Sequence, residues 1–248
     1  MEDRDTILKH LAERKLHGCE RTFANVYLWA RFYNEGWAEI EGTAVFRTGQ
    51  EGAYSYTYPI GAGDRKKVVE MLMEDAKEKG YPFQLHAVSK GEMEELESYF
   101  PGKFNVEWPR DLEDYVYETE KLINLSGKKY HGKKNHLNQF KAAYPDWKYE
   151  TITDENVEEC FQMALSWRNH NGCEDDPEKN QEMCVALNSL RLFKELHLKG
   201  GLLRVNGKVV AYTLGEPVSD DTSWYTLRRL MQISRGAYTM INRAVPGA

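Results

Sequence analysis

Long apolar runs are missing from this chain. The longest uncharged ones, such as Gly200 to Leu203 and Val209 to Leu214, fall far short of the roughly 20 residues a membrane-crossing helix needs, so no transmembrane segment is expected. An apolar leader is missing as well, because Met1-Glu2-Asp3-Arg4-Asp5 is charged from the start, and secretion is not expected. Cysteine is scarce: Cys19, Cys160, Cys173 and Cys184 form no CxxC pair, which argues against a disulfide framework and for free thiols. A cytoplasmic protein is the expectation. No P-loop, Gly-x-Ser-x-Gly elbow or dinucleotide fingerprint occurs, which removes the commonest nucleotide-hydrolysing, serine-hydrolase and nicotinamide-dependent classes. Global positive charge is absent too. With a net charge of -6 the overall field repels nucleic acid, and any RNA contact must come from a local basic patch.

What is present is a 248-residue chain with 41% hydrophobic content, enough for one large domain or two of ordinary size. The pattern favours an α/β (α+β) chain of two lobes, 1–112 and 113–248, each with a mixed sheet flanked by helices. Strands are expected to open the chain, and the rings of the aromatic stretch Phe23 to Tyr33 are read as core of the first lobe. A hairpin over Trp37 to Arg47 turns at Glu41-Gly42, and a strand covers Tyr54 to Ile60. Asp64 caps a helix to about Lys79 with Val68, Val69, Leu72 and Met73 facing inward, and Gly80 stops it. Strand, helix and strand follow at Pro82 to Val88, Lys90 to Phe100 and Lys103 to Trp108.

The second lobe is predicted to begin with a strand at Tyr115 to Tyr117, then a basic helix from Gly127 to Ala143 that Pro145 ends. Next come a strand at Lys148 to Ile152, a helix capped by Asp154, and a helix from Glu178 to His197. Last is a hairpin turning at Asn206-Gly207, the sharpest local signal in the chain. His170, Cys173, Glu174, Asp175 and Asp176 crowd one loop, but their spacing fits no zinc pattern and the loop reads as polar surface; no metal is expected.

The basic helix is the anomaly. Between Leu125 and Ala142 lie Lys128, Lys129, His131, Lys133, Lys134, His136 and Lys141, interleaved with Asn135, Asn138 and Gln139 and with no acid. Lys129, Lys133 and His136 fall near one face, where they could bind phosphates; a solvated helix face is the alternative, although like charges at that spacing repel.

Leu122-Ile123-Asn124-Leu125-Ser126-Gly127-Lys128-Lys129-Tyr130-His131 and Lys134-Asn135-His136-Leu137-Asn138 resemble the signature of the phosphatidylglycerol lysyltransferase C-terminal domain family. Tyr58-Pro59-Ile60-Gly61, Phe100-Pro101-Gly102, Lys199-Gly200-Gly201, Val209-Val210-Ala211-Tyr212-Thr213, Gly215-Glu216-Pro217 and Gly236-Ala237-Tyr238 follow in the family's order. The resemblance spans nearly the whole chain and implies a tandem GNAT-type acyltransferase fold, in which the synthases transfer an aminoacyl group from aminoacyl-tRNA to a lipid head group. It implies tRNA or an anionic lipid head group as partner, and aminoacyl-tRNA or an acyl-CoA as donor. Because an aminoacyl ester is already activated, such chemistry needs positioning, a proton acceptor and oxyanion stabilisation, and no metal.

On this reading Lys128, Lys129, Lys133, Lys134 and His136 grip phosphate. Arg235, Gly236 and Ala237 at a helix N-terminus hold a second anion near the donor. Glu216 and Tyr212 are acid or base candidates; the alternatives are a backbone-bonded Glu216 and a core-packed Tyr212. Two rival functions stay open: a non-catalytic protein that binds RNA or anionic lipid, and an acetyl-CoA-dependent N-acetyltransferase.

The resemblance breaks after Asp220-Asp221-Thr222. A family member continues with a strand reading approximately Phe-Val-Val-His-Ile-Glu-Lys-Ala-Asp, whereas this chain has Ser223-Trp224-Tyr225-Thr226-Leu227-Arg228-Arg229-Leu230-Met231-Gln232-Ile233-Ser234. Codons for these residues can be chosen so that the neighbouring frame encodes the family strand, and a similar slip at Asn242 to Ala248 would continue a helix. The expectation is a frame-displaced segment and a shortened second lobe with exposed sheet edges.

Overall fold

The computed structural model describes residues 1–13, 17–219, 222–230 and 236–244. They form two compact units, one of Met1–Asp114 with Pro217–Thr222, the other of Tyr115–Glu216 with Ser223–Ala248. Each carries one sheet flanked by helices, the mixed α/β class expected.

In the first unit two helices, α1 (Arg4–Ala12) and α2 (Phe23–Tyr33), precede any strand. The expectation that strands open the chain is corrected: the aromatic stretch is helical, and Asn34 ends it in the left-handed region with φ 49°. Only part of it is core, since Phe23 is buried while Tyr33 is exposed. Aromatic β-propensity is a weak preference that packing overrides.

Strands β1 (Gly36–Ile40), β2 (Thr43–Gln50) and β3 (Ala53–Thr57) form an antiparallel meander. The short β4 (Ile60–Gly61) pairs with β2. Helix α3 (Arg65–Glu78) is capped by Asp64, whose carboxylate accepts from the Lys67 amide, a bond typically worth ~1 kcal/mol. Its buried stripe, Val68, Leu72 and Ala76, packs on Val45, Tyr56 and Tyr81. Val69 and Leu96 pack with Tyr58 in a second cluster. Only Leu85–His86 pairs as a strand, β5, parallel to β3, before α4 (Lys90–Tyr99). The strand expected at Lys103 to Trp108 is absent.

The second unit begins irregularly. Tyr115 and Val116 are highly exposed and Tyr115 to Tyr117 pair with no strand among the described residues, so the strand expected there is not formed; alternation marks a strand only where a neighbouring strand and a buried face exist. Helix α5 (Thr119–Asn124) leads through a 3-10 turn, Lys128–Tyr130, into α6 (His131–Ala143). Strand β6 (Lys148–Thr151) precedes α7 (Val157–His170), where Asn156 rather than Asp154 occupies the N-cap. Helix α8 (Pro177–Arg191) is capped by Asp176.

The predicted hairpin forms from β7 (Lys199–Val205) and β8 (Lys208–Pro217), with Asn206 at φ 49° and Gly207 at φ 73°. These are the positive angles a two-residue hairpin turn requires. Ser223–Leu230, where the family pattern breaks, forms β9, and the sheet order is β6-β7-β8-β9. Helix α9 (Ala237–Ala244) follows. Residues 231–234 of the altered segment and Val245 to Ala248 of the tail lie outside the described residues.

The two faces of this sheet are covered differently. Leu203, Val205 and Ala211 pack with Leu137 and Phe140 of α6 and with Ala237, Met240 and Ile241 of α9. By strand alternation Leu202, Arg204, Tyr212, Leu214 and Glu216 belong to the opposite face, where Arg204 reaches Glu159 of α7.

Candidate anion-binding helix

Helix α6 exists because its apolar residues fall on one side. Tyr130, Leu137 and Phe140 are buried, and Phe140 is fully enclosed. That seating leaves Lys128, Lys129, His131, Lys133, Lys134, Asn135 and Asn138 exposed. None of the four exposed lysines makes an ion pair with a carboxylate among the described residues. The pairs in this unit lie elsewhere: Lys121 with Glu118, Lys179 with Asp176, Lys194 with Asp154, and Arg204 with Glu150 and Glu159.

The neighbours of the α6 cations are rings instead. Lys129 Nζ lies 5.1 Å from the Tyr130 centroid and Lys133 Nζ 5.9 Å from that of Tyr117. Such contacts at exposed sites contribute about 0.5–1 kcal/mol and do not cancel the charge. Beside the lysines, His131, Gly132, Lys134, Asn135 and Asn138, all exposed on α6, line an open surface depression of about 570 Å³. Amide and ammonium donors at its wall suit phosphate or carboxylate oxygens.

His136 is half-buried, and its Nδ1 is enclosed with no hydrogen-bond partner among the described residues. Next to it the chain before α9 makes its closest approach to α6. A Cβ added to Gly236 would lie 2.3 Å from the His136 carbonyl oxygen and 2.4 Å from Phe140 Cβ, so only glycine fits. The structure thus brings Gly236 and Ala237 to the α6 face of the sheet. Both are buried there, Ala237 completely, as packing residues. Arg235 lies outside the described residues.

Tyr212 and Glu216 are placed on the other face. Tyr212 is fully enclosed and Glu216 is buried at the end of β8, so neither adjoins the hollow. Sequence reading singled out lysines and passed over Asn135 and Asn138 as ligand groups. Their interleaving with cations was the available signal.

The opposite face also shows how this protein neutralises a structural cation. Arg204 donates from Nε and Nη2 to Glu150 at 2.9 and 3.0 Å, and from Nη1 and Nη2 to Glu159 at 2.6 and 3.0 Å. Hydrogen bonds from Arg204 hold both carboxyls below the usual glutamate range.

Two helix-flanked sheets, the second carrying an unneutralised cationic helix beside an open hollow, define a mixed α/β protein with a focused positive surface on an acidic body. The family model described as "Phosphatidylglycerol lysyltransferase, C-terminal" matches residues 11–245, and the chain belongs to that family. A conserved protein of unknown function from Bacteroides thetaiotaomicron is 33% identical, with TM-score 0.90 over 99% of this chain and 83% of the other. Two more distant structures share the fold. One, from Agrobacterium fabrum, is described as the C-terminal domain (DUF2156) of a lysylphosphatidylglycerol synthetase; it is 14% identical, with TM-score 0.59 over 99% of this chain and 73% of the other. The L-PGS from Bacillus licheniformis is 14% identical, with TM-score 0.59 over 86% of this chain and 63% of the other. No curated protein matches the chain.

No helix among the described residues is long and apolar enough to cross a membrane.

Proposed function

We propose that this chain is a GNAT-type acyl- or aminoacyltransferase that grips a phosphate-bearing donor or acceptor with α6 and works in the cytoplasm. Lys128, Lys129, Lys133 and Lys134 bind phosphate, with His136 behind them. The observation that carries the reading is the acid-free cationic face of α6, with its open depression, in a member of a lysyltransferase family. An aminoacyl-tRNA supplies both the phosphates and an activated ester, so the remaining work is positioning and proton transfer. The two lobes, 1–112 and 113–248, are each read as GNAT-like. Gly236 and Ala237, with Arg235, are read as lying near the donor. Glu216 is the proton-acceptor candidate at the end of β8, and Tyr212, wholly enclosed, supports that strand.

A second reading, anion binding without turnover, draws on the same enclosure: Tyr212 presents no surface to a substrate and Glu216 faces away from α6. The test is transfer of a radiolabelled aminoacyl group from aminoacyl-tRNA to anionic lipid or a soluble amine. Transfer that disappears in a Lys128→Ala, Lys129→Ala, Lys133→Ala, Lys134→Ala variant supports the first reading, and salt-sensitive tRNA binding without transfer supports the second. Turnover of acetyl-CoA with no tRNA dependence would replace both with acetylation.

A further inference from the structure

The first unit contains an open groove of about 440 Å³ between the β1–β2 hairpin and α3 that the transferase reading does not use; Val45 and Leu72 at its floor are buried, and Ala38 and Met71 at its rim are exposed. Its apolar walls come from Ala38 and Val45, directly opposed across the hairpin, and from Met71 and Leu72 of α3. One cross-strand row, Gly36, Arg47 and Tyr56, lies at its polar end. A Cβ placed on Gly36 would meet nothing within 4 Å, so the space beside Arg47 is open.

The charges at that end do not balance. The Asp75 carboxylate is already occupied: it accepts from Lys79 Nζ at 2.5 Å, from the Tyr56 hydroxyl at 3.0 Å and from the Tyr81 hydroxyl at 3.2 Å. The Lys79 bond, with the tyrosine hydroxyls, holds Asp75 below the usual range and hence ionised. Arg47 is different. Its guanidinium stacks 4.0 Å over the Tyr54 ring, and no carboxylate or carbonyl accepts from it among the described residues. Stacking occupies the flat face of a guanidinium and leaves its N–H edge free for a bidentate acceptor. One surplus, half-buried positive charge therefore faces an open groove with an apolar floor.

From this geometry we infer that the first unit binds a small amphiphile, an apolar body bearing a single carboxylate, with the carboxylate on Arg47 and the body between the hairpin and α3. The apolar walls disfavour a heavily hydrated polyanion, and the volume fits a small molecule rather than a polymer. The site is independent of α6, and its failure would leave the transferase reading untouched.

The test is calorimetric titration of the full chain with octanoate, octanol and octyl phosphate, using wild type, Arg47→Gln and Ala38→Trp, with each variant's fold checked by circular dichroism. Octanoate is expected to bind in the roughly millimolar range or tighter, as its size allows. It is expected to lose about tenfold or more in Arg47→Gln, whereas octanol is unaffected, because a charge-assisted bond is removed. Ala38→Trp fills the chamber and abolishes binding of both. Octanoate binding no better than octanol to wild type, equal octanoate affinity in Arg47→Gln, or binding that survives Ala38→Trp would overturn the site. Tighter binding of octyl phosphate would overturn the carboxylate assignment. The comparison of octanoate with octanol needs no variant and stands even if Ala38→Trp does not fold.

Discussion

Arg204 and the lysines of α6 belong to the same unit and flank the same sheet from opposite sides, yet they are treated in opposite ways. Arg204 is enclosed by two glutamates that absorb its charge. The lysines at 128, 129, 133 and 134 have aromatic neighbours or solvent and pair with no acid among the described residues. A cation that serves the fold is matched where it is made; a cation kept without a match repels its neighbours at helical spacing by a few tenths of a kcal/mol and gains nothing structural in return. The contrast separates cations that hold the protein together from cations available to a ligand.

The largest effect expected from breaking a matched pair lies in the first unit. Arg21 and Glu92 are 6% and 1% exposed and meet at 3.2 Å, and Glu92 also accepts from the Ser89 amide as half of a capping box. Glu92→Ala should cost about 3–5 kcal/mol in denaturant unfolding, because it removes the carboxylate that balances a buried guanidinium. A loss under about 1 kcal/mol would show that matched charges here do not support the fold.

The next case is a half-buried carboxyl with no cationic partner among the described residues. Burial, with the nearby Glu20 carboxylate adding to it, raises the Glu35 carboxyl from 4.5 to about 7. A raised carboxyl means the folded state holds its proton longer than the unfolded chain does, so stability is lost as pH rises from about 4.5 towards 7. Glu35→Gln should therefore be more stable than wild type at pH 8 by roughly 1–3 kcal/mol and about equal at pH 4. Thermal unfolding at the two pH values checks this.

Arg204→Gln comes third, at about 1–2 kcal/mol, since its partners are partly open to water. The sign of its pH dependence is the opposite of that at Glu35. Glu150 and Glu159 are held below 4.5 by hydrogen bonds from Arg204, so their stabilisation is present above that pH and is lost as pH falls through their folded values. Wild type should lose its advantage over Arg204→Gln on acidification below about pH 4.5. A difference that does not change with pH would remove the network from the account. The smallest stability effect belongs to α6: replacing any one of its four exposed lysines with alanine should shift unfolding by no more than about 0.5 kcal/mol.

How much of this was legible beforehand follows the same division. The α3 cap at Asp64, the inward stripe of that helix and the Asn206-Gly207 hairpin were readable because each depends on residues adjacent in the chain. The basic helix was readable from composition alone. The strands expected at Lys103 to Trp108 and Tyr115 to Tyr117 failed because local alternation says nothing about whether a partner strand arrives. The helical state of Phe23 to Tyr33 was hidden by aromatics that suit either structure. Where Tyr212 and Glu216 lie relative to α6 depends on which helices cover which sheet face, and no local pattern encodes that. The need for glycine at 236 arises from a contact with a helix about a hundred residues earlier.

The most direct test of the central claim, that α6 keeps its charge for a phosphate ligand, is the salt dependence of tRNA binding by wild type and by the four-lysine alanine variant. The logarithm of the wild-type affinity is expected to fall with the logarithm of salt concentration with a slope of about −0.7 to −0.9 per phosphate engaged, and the variant to lose several such increments while remaining folded. Equal affinities and equal slopes for the two proteins would contradict it.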